Sequence, residues 1–182
     1  MMRKLQSILL VFALAAATSF AAGEVMVGGQ EMYSSKDIID NAVNSADHTT
    51  LVAAVKAAGL VDTLKGKGPF TVFAPTDAAF NRLPAGTVEN LVKPENKEML
   101  TSILTYHVVP GKLTFNKLSR LIKAGNGMAE LTTVNGAKLT VMANGEHNIV
   151  LKDDKGEIAN ISTYDVMQSN GVIHVIDRVL MP

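Results

Sequence analysis

Apolar residues recur at helical spacing through most of the first two thirds of the chain, and alternate or run together as in strands through the last third. Ser34-Ser35-Lys36-Asp37 opens the first helix, with Ser34 as cap and Asp37 three residues on in a near capping box. Ile38, Ile39, Ala42 and Val43 then supply its apolar stripe. Asp47-His48-Thr49 restarts the chain for a second helix that buries Leu51, Val52, Val55 and Ala58 and ends at Gly59. Gly66-Lys67-Gly68-Pro69 is a turn delivering the chain into a strand, with Phe70 and Val72 on one face and Thr71 and Phe73 on the other. Pro75 stops that strand because it has no N–H to give a ladder. Thr76 stands where a helix N-cap should, and Asp77 where a negative charge suits the helix dipole; Ala78, Ala79 and Phe80 continue the helix. Thr87 can cap a short piece through Leu91, and Pro94 sits at the first position of a helix carrying Met99, Leu100, Ile103 and Leu104 inward. The spacing then predicts a strand over Tyr106–Val109, and a helix after Thr114 bearing Phe115, Leu118, Leu121 and Ile122.

From Glu130 the pattern is β. Leu131–Val134 and Lys138–Met142 flank Asn135-Gly136, a two-residue type I′ hairpin signal. Asn144-Gly145 and Asp153–Gly156 mark further turns before strands at Asn148–Leu151 and Glu157–Ile161. Thr163–Gln168 reads as a helical turn. The last strand follows Asn170-Gly171, with Ile173, Val175 and Val179 on one face and Val172, Ile176 and Leu180 on the other. A strand apolar on both faces is covered on both. Helices first and a β meander last, with Phe70–Pro75 and the closing segment as central strands, make an α+β architecture.

Composition narrows the class. A chain of 182 residues fits one domain, and no second copy of any block suggests a repeat array. Formal charge is zero, so no nucleic-acid partner is indicated. Residues 1–21 have the form of a signal peptide: Arg3 and Lys4 lead, Ile8 through Ala17 form the apolar region, and Ser19-Phe20-Ala21 is a small-x-small cleavage site. That apolar run is short for a span of about 20 residues, so cleavage after Ala21 is expected, with no stable membrane insertion afterwards. Residues 22–34, with Gly28-Gly29 and no apolar period, read as a flexible leader, and residues 35–182 as the domain. An exported chain without Cys must hold its fold by packing alone.

Three blocks resemble the fasciclin (FAS1) domain family. Thr71, Phe73, Ala74, Pro75, Thr76, Asp77 and Phe80 match its opening signature, close to T-V-F-A-P-T-[DN]-x-A-F. Leu104-Thr105-Tyr106-His107-Val108-Val109 resembles its central Tyr-His segment. Asn170 through Pro182 resembles its closing block, with Gly171, His174 and Asp177 in place. The three occur in the family's order and spacing over about residues 35–182. The resemblance implies a wedge of two β-sheets with helices packed alongside, and an adhesion role in which a short Asp-containing motif before the closing block contacts integrins in some animal members. Asp165, Val166 and Met167 match that motif; Thr163 and Tyr164 depart from it. Tyr106 and His107 match a second segment credited with adhesion.

The residues offer little chemistry of their own. The four histidines, His48, His107, His147 and His174, show no metal-ligand spacing, and His107 and His174 lie in apolar runs as hydrogen-bonded core residues would. There is no G-x-S-x-G elbow, no Cys nucleophile, no complete phosphate loop and no calcium loop, so neither an enzyme nor a cofactor is expected. Asn160-Ile161-Ser162 has the form of a glycosylation acceptor. Two readings remain. One is an exported, periplasmic or extracellular adhesion module whose partner is an extracellular protein, a matrix or cell-surface component, or a second copy of the chain. The other is a small-molecule or lipid carrier with an apolar pocket between helices and sheet; a sizeable closed cavity would favour it.

Overall fold

The computed structural model describes residues 25–182, so the signal segment expected at residues 1–21 lies outside the described residues. From Val25 the chain is ordered where a flexible leader was expected. Strands β1 (Val25–Val27) and β2 (Gln30–Met32) form a hairpin around Gly28-Gly29, both at positive φ as the twist of a two-residue turn requires. Val27 and Met32 are buried in the same core as the rest of the domain.

Helix α1 (Ile38–Ala42) is capped by Asp37, whose carboxylate accepts from Asp40 N at 2.8 Å; Ser34 plays no such part. Helix α2 (Thr49–Ala58) buries Leu51, Ala54, Val55 and Ala58 and leaves Val52 half-buried. A short α3 (Val61–Lys65) leads into β3 (Phe70–Pro75), which continues into α4 (Asp77–Phe80) with Thr76 as the expected cap, accepting from Ala79 N at 3.2 Å. After α5 (Thr87–Leu91), Pro94 opens a 3₁₀ turn and α6 begins at Lys97. Leu100, Ile103 and Leu104 point inward as expected, whereas Met99, on the flank of that stripe, is 58% exposed.

Helix α6 (Lys97–Tyr106) runs on through the segment expected to be a strand, and only Val108–Pro110 pairs as β4. The i, i+4 pair Ile103–His107 explains the difference. His107 Nδ1 donates to the Ile103 carbonyl at 2.8 Å, satisfying an acceptor of the last helical turn. In α7 (Phe115–Ala124), Leu118 and Ile122 are buried while Leu121 is 38% exposed. Strands β5 (Met128–Thr132) and β6 (Lys138–Ala143) pair as expected, but through a five-residue loop in which Asn135 Oδ1 accepts from Thr133 Oγ1 and Ala137 N.

Strands β7 (Ile149–Lys152), β8 (Ile158–Gln168) and β9 (Gly171–Ile176) complete the sheet. Thr163–Gln168 belongs to β8 and is no helical turn. Its pairing with β9 shifts register between Ile161 and Val166, and Asp165 adopts φ 55°, so the alternation that marks a strand is broken there.

The sheet order is β4-β3-β9-β8-β7-β6-β5. β3 and β9 are parallel, from Phe70 opposite Gly171 to Pro75 opposite Ile176; their other neighbours are antiparallel. The two ends of the sheet approach each other, Val134 N donating to the Val108 carbonyl at 2.8 Å, so the wedge of two sheets sharing β8 is nearly a barrel. One face carries Val72, Ala74, Ile173 and Val175 against the early helices, and the other carries Phe73 and Ile176 against α7 and the meander.

Because Val175 is 3% exposed and β9 is buried along its whole length, Val175→Asp would place an unpaired charge in the core. It should cost several kcal/mol, enough to unfold a marginal domain. Thermal melts of variant and parent that coincide would contradict this packing.

Candidate functional site

The polar signature residues lie within β3 and β9 or just beyond their C-terminal ends, and their hydrogen bonds run inward. Thr71, fully buried on β3, donates from Oγ1 to the Gly111 carbonyl at 2.6 Å and accepts from Leu113 N at 2.9 Å, holding the connection between β4 and α7. His174, on the neighbouring strand β9, donates from Nε2 to the Leu113 carbonyl at 2.7 Å and accepts from Asp165 N at Nδ1, 3.2 Å away. Phe73 stacks on the His174 ring at 5.7 Å, with Tyr164 edge-on from the other side at 6.0 Å. His107 uses both nitrogens as well, its Nε2 accepting from Leu180 N at 3.0 Å. Each imidazole is therefore satisfied as a neutral donor–acceptor.

Burial pushes the His107 imidazole down to about 4, and lowers that of His174; the bonds to Ile103 and Leu113 oppose the shift without reversing it. His48, which shares a bond of 2.8 Å with Ser45 Oγ, is lowered for the same reason.

The acidic signature residues act on elements distant in sequence. Asp77 accepts from Thr49 Oγ1 at 2.6 Å and from Thr50 N at 2.8 Å, so it caps the start of α2 rather than serving α4 alone. Burial by itself would raise its carboxyl, but the bonds from Thr49 and Thr50 outweigh that and hold it below its usual range. Asp177 behaves alike: burial opposes ionisation, and the Asn160 amide, Asn160 N and Arg82 restore it. The same bond occupies the side chain of Asn160, the residue with the form of a glycosylation acceptor.

The five residues expected to meet a partner are divided by burial. Tyr106 and His107, at 0% and 2% exposure, face inward; Tyr106 donates to the Lys138 carbonyl and accepts from Asp154 N, and burial raises its hydroxyl to about 12. Val166 is 1% exposed, within the core against the early helices. Asp165 and Met167 are half-buried. Asp165 Oδ1 accepts from Phe115 N at 2.7 Å and so caps α7, where Thr114 makes no cap bond. Among the described residues no hydrogen bond reaches its Oδ2.

Two organising residues were not legible. Asn170 accepts from Ile38 N and donates to the Leu64 and Gly66 carbonyls, pinning α1 and α3 to the start of β9. Asn41 bonds Tyr33 and the amide of Gln168. Asn41 reads in sequence as an ordinary polar position, and Asn170 only as the start of the closing block and its strand. A Cβ on Gly171 would overlap the Phe70 backbone, which is the physical demand behind the Asn-Gly pair. Among the described residues no three of His, Asp and Glu gather as a metal site requires, and no helix is long and apolar enough to cross a membrane.

These features define an α+β domain with a nearly closed sheet whose signature polar groups brace its own loops. The family model for the fasciclin domain matches residues 46–182, and the chain belongs to that family. Protein sll1483 of Synechocystis is 43% identical over 188 residues, covering 94% of this chain and 96% of the relative. The cell surface glycolipoprotein MPB83 of Mycobacterium bovis is 38% identical over 123 residues, 68% of this chain and 48% of the relative. Among solved structures, a FAS1 domain pair from the insect cell adhesion molecule Fasciclin I shares the fold, with a TM-score of 0.71 at 21% identity over 81% of this chain and 51% of that chain.

The depressed histidines give the domain an acid liability. Unfolded, His107 titrates near its ordinary 6.5; folded, near 4. Stability from the neutral imidazole is fully present above pH 6.5 and is lost as pH falls from there toward 4, by about 3 kcal/mol for this residue. His174 and His48 act in the same direction. Urea midpoints should fall between pH 7 and pH 5; a flat profile over that range would mean the buried rings titrate as free ones.

Proposed function

We propose that the chain is exported and acts as a non-enzymatic adhesion module for an extracellular protein, matrix or surface component. The observation that carries this reading is the filled interior. The apolar cavity between the early helices and the sheet, lined by Ile39, Val55, Leu64, Val72, Leu104 and Ile173 among others, measures about 60 Å³. Drug-sized ligands occupy about 300–1,000 Å³, so a carrier role has no room here. The family supports the same reading, since one relative is named for the cell surface and the fold neighbour comes from a cell adhesion molecule.

The contact face in this proposal is the bulge of β8, where Asp165 and Met167 are half-buried and Asp165 Oδ1 alone is taken up by the α7 cap. Capping of α7 through Oδ1 and the packing of Val166 hold that bulge in one geometry, which lowers the ordering cost of binding. Asp165→Ala would also remove the cap, worth about 1 kcal/mol of stability, and Ala tolerates positive φ poorly. Asp165→Asn is the cleaner variant, because Asn keeps both the acceptor and the backbone preference.

Exported protein should begin at Ala22, and N-terminal sequencing that finds Met1 retained would overturn the export step. Purified mature protein should attach to cells or matrix, with Asp165→Asn weakening attachment by more than about 1 kcal/mol at an unchanged melting temperature. Equal attachment of parent and variant would move the contact away from β8.

A further inference from the structure

Three turns far apart in sequence meet at the end of the sheet where β3 and β9 begin. The turn after α3, the residues after β4 and the β8–β9 turn together line an open groove of about 460 Å³. Lys65, Lys67 and Lys112 stand around it, Ser169 adds a hydroxyl, and among the described residues Pro69 is its only apolar side chain and no acidic residue lines it. Lys65 is tied to Asp37 and Asp40, but Lys67 and Lys112 are exposed and make no ion pair among the described residues. In a chain of zero formal charge, this local excess is created by folding.

The groove floor is fixed before any ligand arrives. Phe70 N donates to the Asn170 carbonyl at 3.0 Å, Gly111 N to the Pro69 carbonyl at 2.9 Å, and Ser169 N to the Lys36 carbonyl at 2.9 Å. The Asn170 side chain closes the third side against Leu64 and Gly66. A Cβ on Gly68 would overlap the Asn170 carbonyl, so the turns touch backbone to backbone. Little conformational freedom is left to lose on binding.

We propose that this groove binds a linear anionic polysaccharide, whose carboxylate or sulfate groups pair with Lys67 and Lys112. The proposal rests on the adhesion reading and gives that module a second contact surface, apart from the Asp165 bulge, with a partner of this chemistry. A membrane surface fits less well, because lysines that dock on lipid are flanked by apolar side chains that enter the interface, and Pro69 alone is no such flank. An acidic protein segment fits less well too: protein interfaces are anchored by buried aromatic and Arg residues and are depleted in Lys. A polyanionic chain needs only repeated charge along an open, rigid, basic groove.

The test is binding of the full protein to dextran sulfate, with neutral dextran, phosphatidylglycerol vesicles and polyglutamate as alternatives. The parent should bind dextran sulfate in preference to all three. The double variant Lys67→Glu/Lys112→Glu should bind at least about tenfold more weakly at an unchanged melting temperature, and Lys67→Ala/Lys112→Ala replaces it if the charge reversals unfold the domain. Lys97→Glu/Lys123→Glu, the same change in net charge placed elsewhere, should leave binding within about twofold of the parent. Equal loss in that control, full binding by the groove variant, or preference for vesicles or polyglutamate would each overturn the proposal. Cell attachment in the same preparations separates the two readings. Attachment and dextran sulfate binding that both survive the double reversal overturn the groove and leave the adhesion module standing. A parent that binds dextran sulfate through the groove yet attaches to no surface overturns the adhesion reading alone.

Discussion

Everything in this domain is arranged around one parallel pairing, β3 against β9 over six residues. Parallel neighbours cannot be joined by a tight turn, so the chain between them must travel out and return. It uses that length to cover the pair on both faces. Helices α1 to α6 lie mostly on the side of Val72 and Val175, while α7 and β5 to β8 curl over Phe73 and Ile176. The pairing therefore explains why two short apolar blocks, about a hundred residues apart, are both saturated with buried side chains. It also explains why polar residues are found among them. Connections that cross the ends of a buried pair carry backbone groups away from water, and Thr71, His107 and His174 supply the missing partners. An imidazole suits this task because, when neutral, it donates from one nitrogen and accepts at the other. The depressed titration of both rings is the electrostatic consequence of that employment.

What the sequence made legible was local. The face pattern of Phe70–Phe73, the Thr76 cap, the inward Leu100–Ile103–Leu104 stripe and the two-faced closing strand all follow from spacing within a few residues, and all appear in the structure. Interactions between distant segments were not legible. Tyr106-His107 looks like the start of a strand until Ile103 offers its carbonyl one helical turn back. Thr163–Gln168 looks helical because a register shift and the positive φ of Asp165 erase the alternation. The β1–β2 hairpin had a signal in Gly28-Gly29, but two three-residue strands show no period until Val27 and Met32 find a core to enter.

Capping shows the same division in sharper form. Thr76 caps its own helix, as a local rule expects, whereas Asp77 reaches across to α2 and Asp165 to α7. A carboxylate that caps a remote helix does two things at once: it satisfies an orphan N–H, and it fixes the angle between two elements that share no other covalent constraint. That second effect is reason enough for such residues to occur in motif segments, whether or not they also meet a partner. Their identity is demanded by the fold, and their motif status alone carries no information about a partner.

The consequence for function is that motif and surface must be read separately. Tyr106, His107 and Val166 have the identities of a contact segment and the burial of a core. The residues left partly or wholly exposed are those whose positions no single stretch of sequence records: Asp165 on a bulge, and Lys67 and Lys112 drawn from two turns to meet Ser169. A fold held by internal bracing leaves the identity of Lys67 and Lys112 open, because neither secures the β3–β9 pair, whereas Asp165 is tied to α7 by its cap. In a domain built this way the rim is assembled from distant segments, and the strands beneath set how rigidly it is held.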